Sequence, residues 1–374
     1  MSSLQLFPEV IDGSSLGATF SQPLYLPIGI EGGADAAGSA TVGQVKQILR
    51  PSEADAFFGP VSSLSKLVKF LLERGVAPVF ATASAKGTAP ALTERNTAWD
   101  LLESNPNIRI RLTDSTTQAD LSALADSCES AELIQNKQFC VVGMPNGTTK
   151  ANFLAAATAI TSKRGVLVAP SVYDENGTLM SGAYAAAAVA AEGSKNSDPT
   201  DDLDMLVIPN LSGIERDSAG QDVFRIKVVG GTATNDFEDL LQGGVSPLMP
   251  GRPGGAAISH LRMTYKTDGT FDSLMTRVIV DQVFVLVRDY CYDFNALRRG
   301  NTPQNRELLR SGVEALLIEH NSWVLPLTQA DGSVGYNVSV VASPDQRQMI
   351  VHYQGQIVRG VQTILIDGDL LIAV

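Results

Sequence analysis

The chain has 374 residues, 44% of them apolar and 18% charged, and carries a net charge of −12. That length suits about two domains of ordinary size. The apolar share is too high for a disordered chain, and the acidic balance excludes a protein built to neutralise nucleic-acid phosphates.

No apolar run approaches the roughly 18 residues of a membrane span, and Met1 to Glu9 lack the basic start and apolar stretch of a signal peptide, so neither is expected. Leu4, Leu6 and Phe7 form a short apolar piece ahead of Gly13 and Gly17, which makes residues 1–20 a connector with an apolar end. Gly13-Ser14-Ser15-Leu16-Gly17 has the spacing of a nucleophile elbow, but that turn needs a buried strand before it and a helix after it. Only a dozen residues precede it, and Pro23 follows soon after.

Leu64, Leu67, Val68, Leu71 and Leu72 fall on one face of a helix, so residues 64–74 are predicted helical. Ser62 or Ser63 would cap its start, and Gly75 would take the left-handed position at its end. A strand at Val76–Ala81 follows. The alternation then runs through a helix near 91–103, a strand at Ile108–Leu112, a helix near 118–128 and a strand at Phe139–Met144. It continues with a helix at 149–163 ended by Gly165 and a strand at Val166–Ala169. Strands alternating with helices of this length imply crossover units and a largely parallel sheet. Ala185–Ala191 predicts a closely packed helix, and Asn196–Asp204 a solvated acidic loop without the spacing of a calcium loop.

The pattern changes after Gly243-Gly244. Residues 256–266 read as strand. Residues 271–290 are rich in β-branched side chains, yet Ile279, Val283, Leu286, Val287 and Tyr290 keep a helical period, which decides for helix. Thr302-Pro303 opens a further helix with Leu308, Leu309, Val313, Leu316 and Leu317 as its stripe. Strand-like segments at 335–342, 348–354 and 361–374 close the chain. Asp367-Gly368 fits a tight turn, which would fold the end back as a core hairpin; without that turn, Ile364, Leu365, Ile366, Leu370, Leu371 and Ile372 lie on a strand suited to a neighbour's sheet. The fold class is thus α/β, with an outer domain over residues 21–245 and a smaller α+β domain over 246–354. They are flanked by arms at 1–20 and 355–374, with Gly355 and Gly360 as hinges of the second.

Chemistry-bearing patterns are sparse. The odd, widely spaced Cys128, Cys140 and Cys291 make neither a disulfide framework nor a metal site. His260, His320 and His352 have no metal-ligand partner at short spacing. Gly143 to Lys150 follows a strand and opens a helix as a phosphate loop does, but its glycine spacing is short and its Lys follows the hydroxyl residues instead of preceding them. The predicted strand ends offer Thr82, Pro145 and Pro170, poor material for catalysis, so no catalytic residue, metal or cofactor is expected. Residues 251–320 hold nine basic and eight acidic side chains, so the net negative charge lies elsewhere in the chain. Within that stretch Arg298, Arg299, Arg306 and Arg310 stand close together, either as a solvated helix face or as a basic patch.

Several short motifs, in this order, resemble the contractile-tail sheath family of myophages, R-type pyocins and related injection systems. They are Phe57-Phe58-Gly59, Gly75 with Val79-Phe80-Ala81, Ala185–Ala191 leading to Asp198-Pro199, and Ile208-Pro209-Asn210-Leu211. Gly244-Val245-Ser246-Pro247-Leu248, Arg262-x-Thr264, Asp272 and Asn301-Thr302-Pro303 follow. The resemblance spans most of residues 50–374. It implies identical subunits in stacked hexameric rings around an inner tail tube, with baseplate and tail-terminator proteins as further partners and no direct contact with nucleic acid or membrane. It also implies terminal arms that lend strands to neighbours, a C-terminal domain facing the tube with the four arginines toward it, and contraction without ATP. The particle would be a virion tail or tail-like structure assembled in the bacterial cytoplasm. The alternatives are an α/β enzyme with an unrecognised site and another phage tail protein, of tube or baseplate.

Overall fold

The computed structural model describes residues 26–195, 203–229, 232–251, 254–266, 273–296, 300–328, 334–344, 348–359 and 362–373. Two compact bodies result, one holding the described residues up to Leu274 and the other those from Met275 onward.

The first body opens with β1 (Ile28–Ala34), β2 (Val45–Ile48), α1 (Pro51–Phe58), α2 (Ser63–Glu73) and β3 (Val79–Lys86). It continues through α3 (Leu92–Glu103), β4 (Ile110–Thr113), α4 (Gln118–Leu133), β5 (Phe139–Gly143), α5 (Lys150–Ile160), β6 (Gly165–Ala169) and β7 (Val172–Asp174). Then come α6 (Gly182–Lys195), β8 (Val207–Ile208), β9 (Leu211–Ile214), β10 (Ile226–Val229), β11 (Thr232–Asn235), α7 (Asp236–Gln242), β12 (Ser246–Pro250) and β13 (Ala256–Ile258). Nine strands form one sheet in the order β2-β3-β1-β4-β5-β6-β12-β13-β8. The run from β3 to β12 is parallel throughout, whereas β2, β13 and β8 are antiparallel to their neighbours. A parallel sheet covered on both faces needs apolar side chains at successive positions, and β5 and β6 are buried at every residue. Helices α3, α4 and α5 cover one face and α2 and α6 the other. Helix α6 comes close because its start is glycine: a Cβ on Gly143 or Gly182 would fall 2.1 Å from the other segment's backbone.

Local signals explain most of these elements. Ser62 caps α2 by accepting the Ser65 N–H at 3.0 Å, and Gly75 follows with φ 83°. Three expectations need correction. The helix expected to stop at Gly165 ends at Thr161, which itself takes the left-handed position (φ 36°) and leaves Gly165 to begin β6. The strand expected over 256–266 is only Ala256–Ile258, with an isolated bridge from Arg262 to Ser273. Gly243-Gly244 reads as a domain break, but Gly244 (φ 79°) serves the turn into β12, whose Ser246 and Pro247 register with Val168 and Ala169 of β6. The first body therefore continues to Leu274.

The second body comprises α8 (Leu274–Ala296), α9 (Pro303–Glu319), β14 (Val324–Leu325), β15 (Leu327–Thr328), β16 (Val334–Gly335), β17 (Asn337–Ala342), β18 (Gln348–Arg359) and β19 (Gln362–Ala373). In α8 the helical period prevails over β propensity, because it sets Ile279, Val283, Val287 and Tyr290 on one buried stripe. Thr302 caps α9 by accepting the Asn305 N–H at 3.2 Å, with Pro303 in the first turn. Leu309, Val313 and Leu316 of α9 meet that stripe, and Val338, Met349 and Val351 close the core from the sheet. Helices α8 and α9 touch at Gly312, where an added Cβ would lie 1.8 Å from the Tyr290 hydroxyl. Strand β18 carries β17 and β14 on one edge and β19 along its whole length on the other. Asp367-Gly368, which fits a tight turn, is instead continuous strand, registered with Gln354 and Tyr353, and the pairing runs on to Arg359 with Gln362. Gly355 is no hinge either: it is buried inside β18, and a Cβ there would meet Val324 at 2.3 Å.

Candidate functional site

In chain order the parallel strands lie 2-1-3-4-5-6, so the direction of winding reverses between β1 and β4. Ligands of doubly wound sheets bind at such a reversal, beyond the carboxyl ends of the strands. A cavity of about 460 Å³ opens there, with Asp35, Val61, Ser63, Thr88, Arg95 and Asp114 in its lining. Beneath it, Arg95 of α3 donates to both oxygens of Glu31 on β1 (2.8 and 2.9 Å) and to Asp114 beyond β4 (2.8 Å). Its Nε stands 3.2 Å from Asp120, an ion pair without hydrogen-bond geometry. Glu31 also accepts the hydroxyls of Ser84 on β3 and Thr113 on β4, and Asp114 accepts the Gly33 N–H and the Ser63 hydroxyl. Burial and the nearby Asp114 push the Glu31 carboxyl up, against the pull of Arg95. Arg95 is itself held above its usual value by Glu31 and Asp114 despite burial. These two directions conflict as a simple pair. The upward shift of Glu31 is the sound one, because a single guanidinium divided among three carboxylates does not compensate the most buried of them.

Every charged group of this cluster is already engaged in fastening strands and helices, which leaves structure as its evident chemistry. Its members escaped the sequence reading because β1, with three glycines, was not predicted as a strand. The available signal was an acid at the end of an apolar run, in Ile28-Gly29-Ile30-Glu31 and Ile110-Arg111-Leu112-Thr113-Asp114. The loop resembling a phosphate loop has a structural use as well. Lys150 at the start of α5 pairs with Asp236 and Asp239 of α7, both at 2.7 Å. Among the described residues no cluster of His, Cys, Asp and Glu could hold a metal, and no helix is long and apolar enough to cross a membrane. His260 contacts Asp204, and His320 the Leu316 carbonyl.

The residues expected to mediate assembly are placed unevenly. Leu4, Leu6, Phe7, Arg298 and Arg299 lie outside the described residues. Arg306 and Arg310 stand on α9. Arg306 donates to the Asn301 side chain, while Arg310 is bonded to Glu307 and to Glu314, which neutralise it on its own helix. Ile364, Leu365, Ile366, Leu370, Leu371 and Ile372 belong to β19, whose backbone pairs with β18 of the same chain. The outer edge of β19 has no partner strand among the described residues.

No protein-family profile matches the sequence, and no curated protein does. Solved structures match over almost the whole chain. A sheath tail protein from Listeria innocua is 10% identical, with TM-score 0.71 over 97% of this chain and 98% of that one. A sheath tail protein from Desulfitobacterium hafniense is 11% identical, with TM-score 0.68 over 94% and 98%. The helical sheath of the anti-feeding prophage in its contracted state is 14% identical, with TM-score 0.64 over 92% and 93%. Both bodies fall within these alignments, and the chain has the fold of contractile-tail sheath proteins.

Proposed function

We propose that the chain is a sheath subunit of a contractile tail or tail-like particle, a structural protein without catalytic role. The observation that carries this reading is the near-complete, mutual coverage with the two sheath tail proteins. Six copies would form a ring, and rings would stack around an inner tube, between a baseplate and a tail terminator, during assembly in the host cytoplasm. Residues 1–20 and strand β19 would serve as linking arms. Strand β19 suits that role because it lies at a sheet edge and adds main-chain hydrogen bonds wherever it docks. The first body would face outward in the particle and the second toward the tube. Arg298, Arg299, Arg306 and Arg310 would lie toward an acidic tube. If each subunit buried a further ~400 Å², half apolar, contraction would release roughly 5 kcal/mol per subunit as an upper value.

Negative-stain microscopy and size-exclusion chromatography of the purified chain test the reading, with and without a tube protein from the same particle. Tubes or stacked rings are expected. A compact monomer at millimolar concentration, unchanged by the tube protein, would overturn it. Exchange of Arg299 and Arg306 for Glu should weaken co-assembly with the tube more than sheath–sheath assembly. Added salt should weaken the wild-type contact.

A further inference from the structure

Asp367-Gly368 makes no turn, and its register in β19 points to another use. Strand β19 runs antiparallel to β18, with Gly368 opposite Tyr353 and Ile366 opposite Gly355. Along β18, Met349, Val351 and Tyr353 are buried in the core of the second body, and Gly355 is buried two positions on. Ile350, His352, Gln354 and Gln356 alternate with them and are half-buried. Directly opposed residues of an antiparallel pair share one face of the sheet. The positions of β19 on the core face are therefore Ile372, Leu370, Gly368 and Ile366, in step with Met349, Val351, Tyr353 and Gly355. The aspartates on either side of the glycine fall on the other face, Asp369 opposite His352 and Asp367 opposite Gln354.

Two neighbouring pairs are thus reversed in size. Tyr353, 4% exposed, is paired with a residue that has no side chain. Gly355, where a Cβ would collide with Val324 of β14, is paired with a large one. Sliding β19 by two residues breaks this fit in either direction. One slip sets Leu370 against Tyr353 and Gly368 against Gly355, which crowds the first position and empties the second. The other sets Ile366 against Tyr353. A packed core resists both added volume and a void. Sliding by one residue exchanges the two faces. In either direction an aspartate then stands opposite buried Tyr353, where a carboxylate would lose its water.

We propose that Asp367-Gly368-Asp369 is a register key, which makes β18 accept this strand in a single frame, with Tyr353 as the residue that selects it. An edge strand of apolar residues without such a device is prone to pair in several frames. The consequence for assembly rests on the function proposed above, whereas the frame itself does not. In a sheath, the key would give every linkage between subunits the same length, since a two-residue slip would displace the linked neighbour by about 7 Å.

Cysteine pairs introduced into the full chain test the frame. Gln356 and Leu365 are opposed in the observed register. Gln356 and Thr363, or Ile350 and Ala373, would be opposed after a slip of two in one direction or the other. Opposed Cα atoms lie about 4.5–5.5 Å apart, within disulfide reach, and a two-residue offset puts them beyond it. Gln356→Cys with Leu365→Cys should close a disulfide under mild oxidation. Gln356→Cys with Thr363→Cys, and Ile350→Cys with Ala373→Cys, should close at least about tenfold more slowly. The native thiols are buried, and the unaltered chain serves as the blank. Adding Gly368→Leu should slow closure of the first pair about tenfold, and adding Tyr353→Ala to that variant should restore it. Non-reducing electrophoresis separates bonds within one chain from bonds between two. Which chain supplies the strand therefore bears on the sheath reading, and which pair closes bears on the key. Equal closure of the observed and slipped pairs would overturn the key, as would failure of all three. So would closure of the first pair at an unchanged rate in Gly368→Leu. If that variant does not fold, the comparison of the three pairs, which leaves residues 367–369 intact, still decides.

Discussion

The first body is fastened by charge at its centre, where Arg95 gathers Glu31, Asp114 and Asp120 from three elements. The core of the second is apolar side chains from two helices and a sheet, with Tyr290 packed against Gly312 at the helix crossing. Its distinctive polar feature lies instead on the backbone, along the outer edge of β19. Such a contrast suits a subunit with one block that keeps its shape and one that offers bonds to neighbours. The two blocks should accordingly fail in different ways.

The largest effect is expected at Arg95. Replacing it with Met leaves two buried carboxylates without their cation, a loss of about 3–5 kcal/mol. Urea denaturation should show the deficit in the transition of the first body. Glu31→Gln should cost far less, because burial already favours an uncharged side chain at that position. If Glu31→Gln proved as damaging as Arg95→Met, the ionised pair would be the fastening and the upward shift of Glu31 would be wrong.

Gly312→Ala probes the second body. The added methyl collides with the Tyr290 hydroxyl, and such overpacking costs about 1–3 kcal/mol. Calorimetry should show a lower transition for the second body only. Removing the hydroxyl by Tyr290→Phe in the same chain should recover part of the loss. A double variant no better than Gly312→Ala would place the strain elsewhere.

Deleting residues 362–374 changes assembly more than fold. Circular dichroism should show near-unchanged helix content, and calorimetry an unchanged first-body transition, while the tubes expected of a sheath subunit under the proposed function fail to form in negative-stain images. Loss of the entire second-body transition would instead mean that β19 belongs to its own core as a closing hairpin, and exchange between subunits would have to rest on the N-terminal residues alone.

The parts of the fold legible in the sequence are those where one local signal suffices. The stripe from Leu64 to Leu71, the Thr302-Pro303 start and the apolar runs of β5 and β6 each name their element without help from distant residues. Strands β1 and β12 were obscured because glycine and proline stand inside them, and only pairing with neighbours makes them strands. The Glu31–Arg95–Asp114 cluster was illegible for the same reason: its members are 64 and 19 residues apart in sequence and meet only once the sheet order is fixed. Asp367-Gly368 left the end of the chain open between a core hairpin and an arm, because a turn-forming pair carries no information about the partner strand, whose length decides where the hairpin closes.

The smallest effects are expected from pH, and two acids of the first body should push stability in opposite directions. Burial pushes Glu132 up, but the bonds and charges of Arg164 and Lys137 outweigh it and hold the carboxyl at about 2. Its folded value lies below its unfolded one, so its contribution is complete above the unfolded range of about 4.3 and is lost as pH falls toward 2. Glu31 is raised, so its contribution is complete below the unfolded range and is lost as pH rises through its folded value. Glu132→Gln should therefore flatten the acid side of the stability profile. Because Glu132 is a third exposed, water screens the pair, and the deficit near neutrality should be only about 1 kcal/mol. Glu31→Gln should flatten the opposite side, with stability within about 0.5 kcal/mol of wild type at low pH, where the native carboxyl is protonated. Urea titrations at about pH 3, pH 5 and pH 8 for the three proteins would read both slopes. If Glu31→Gln and Glu132→Gln flattened the same side, the raised value of Glu31 would be overturned. Arg95 would then be compensating Glu31 as fully as Arg164 compensates Glu132.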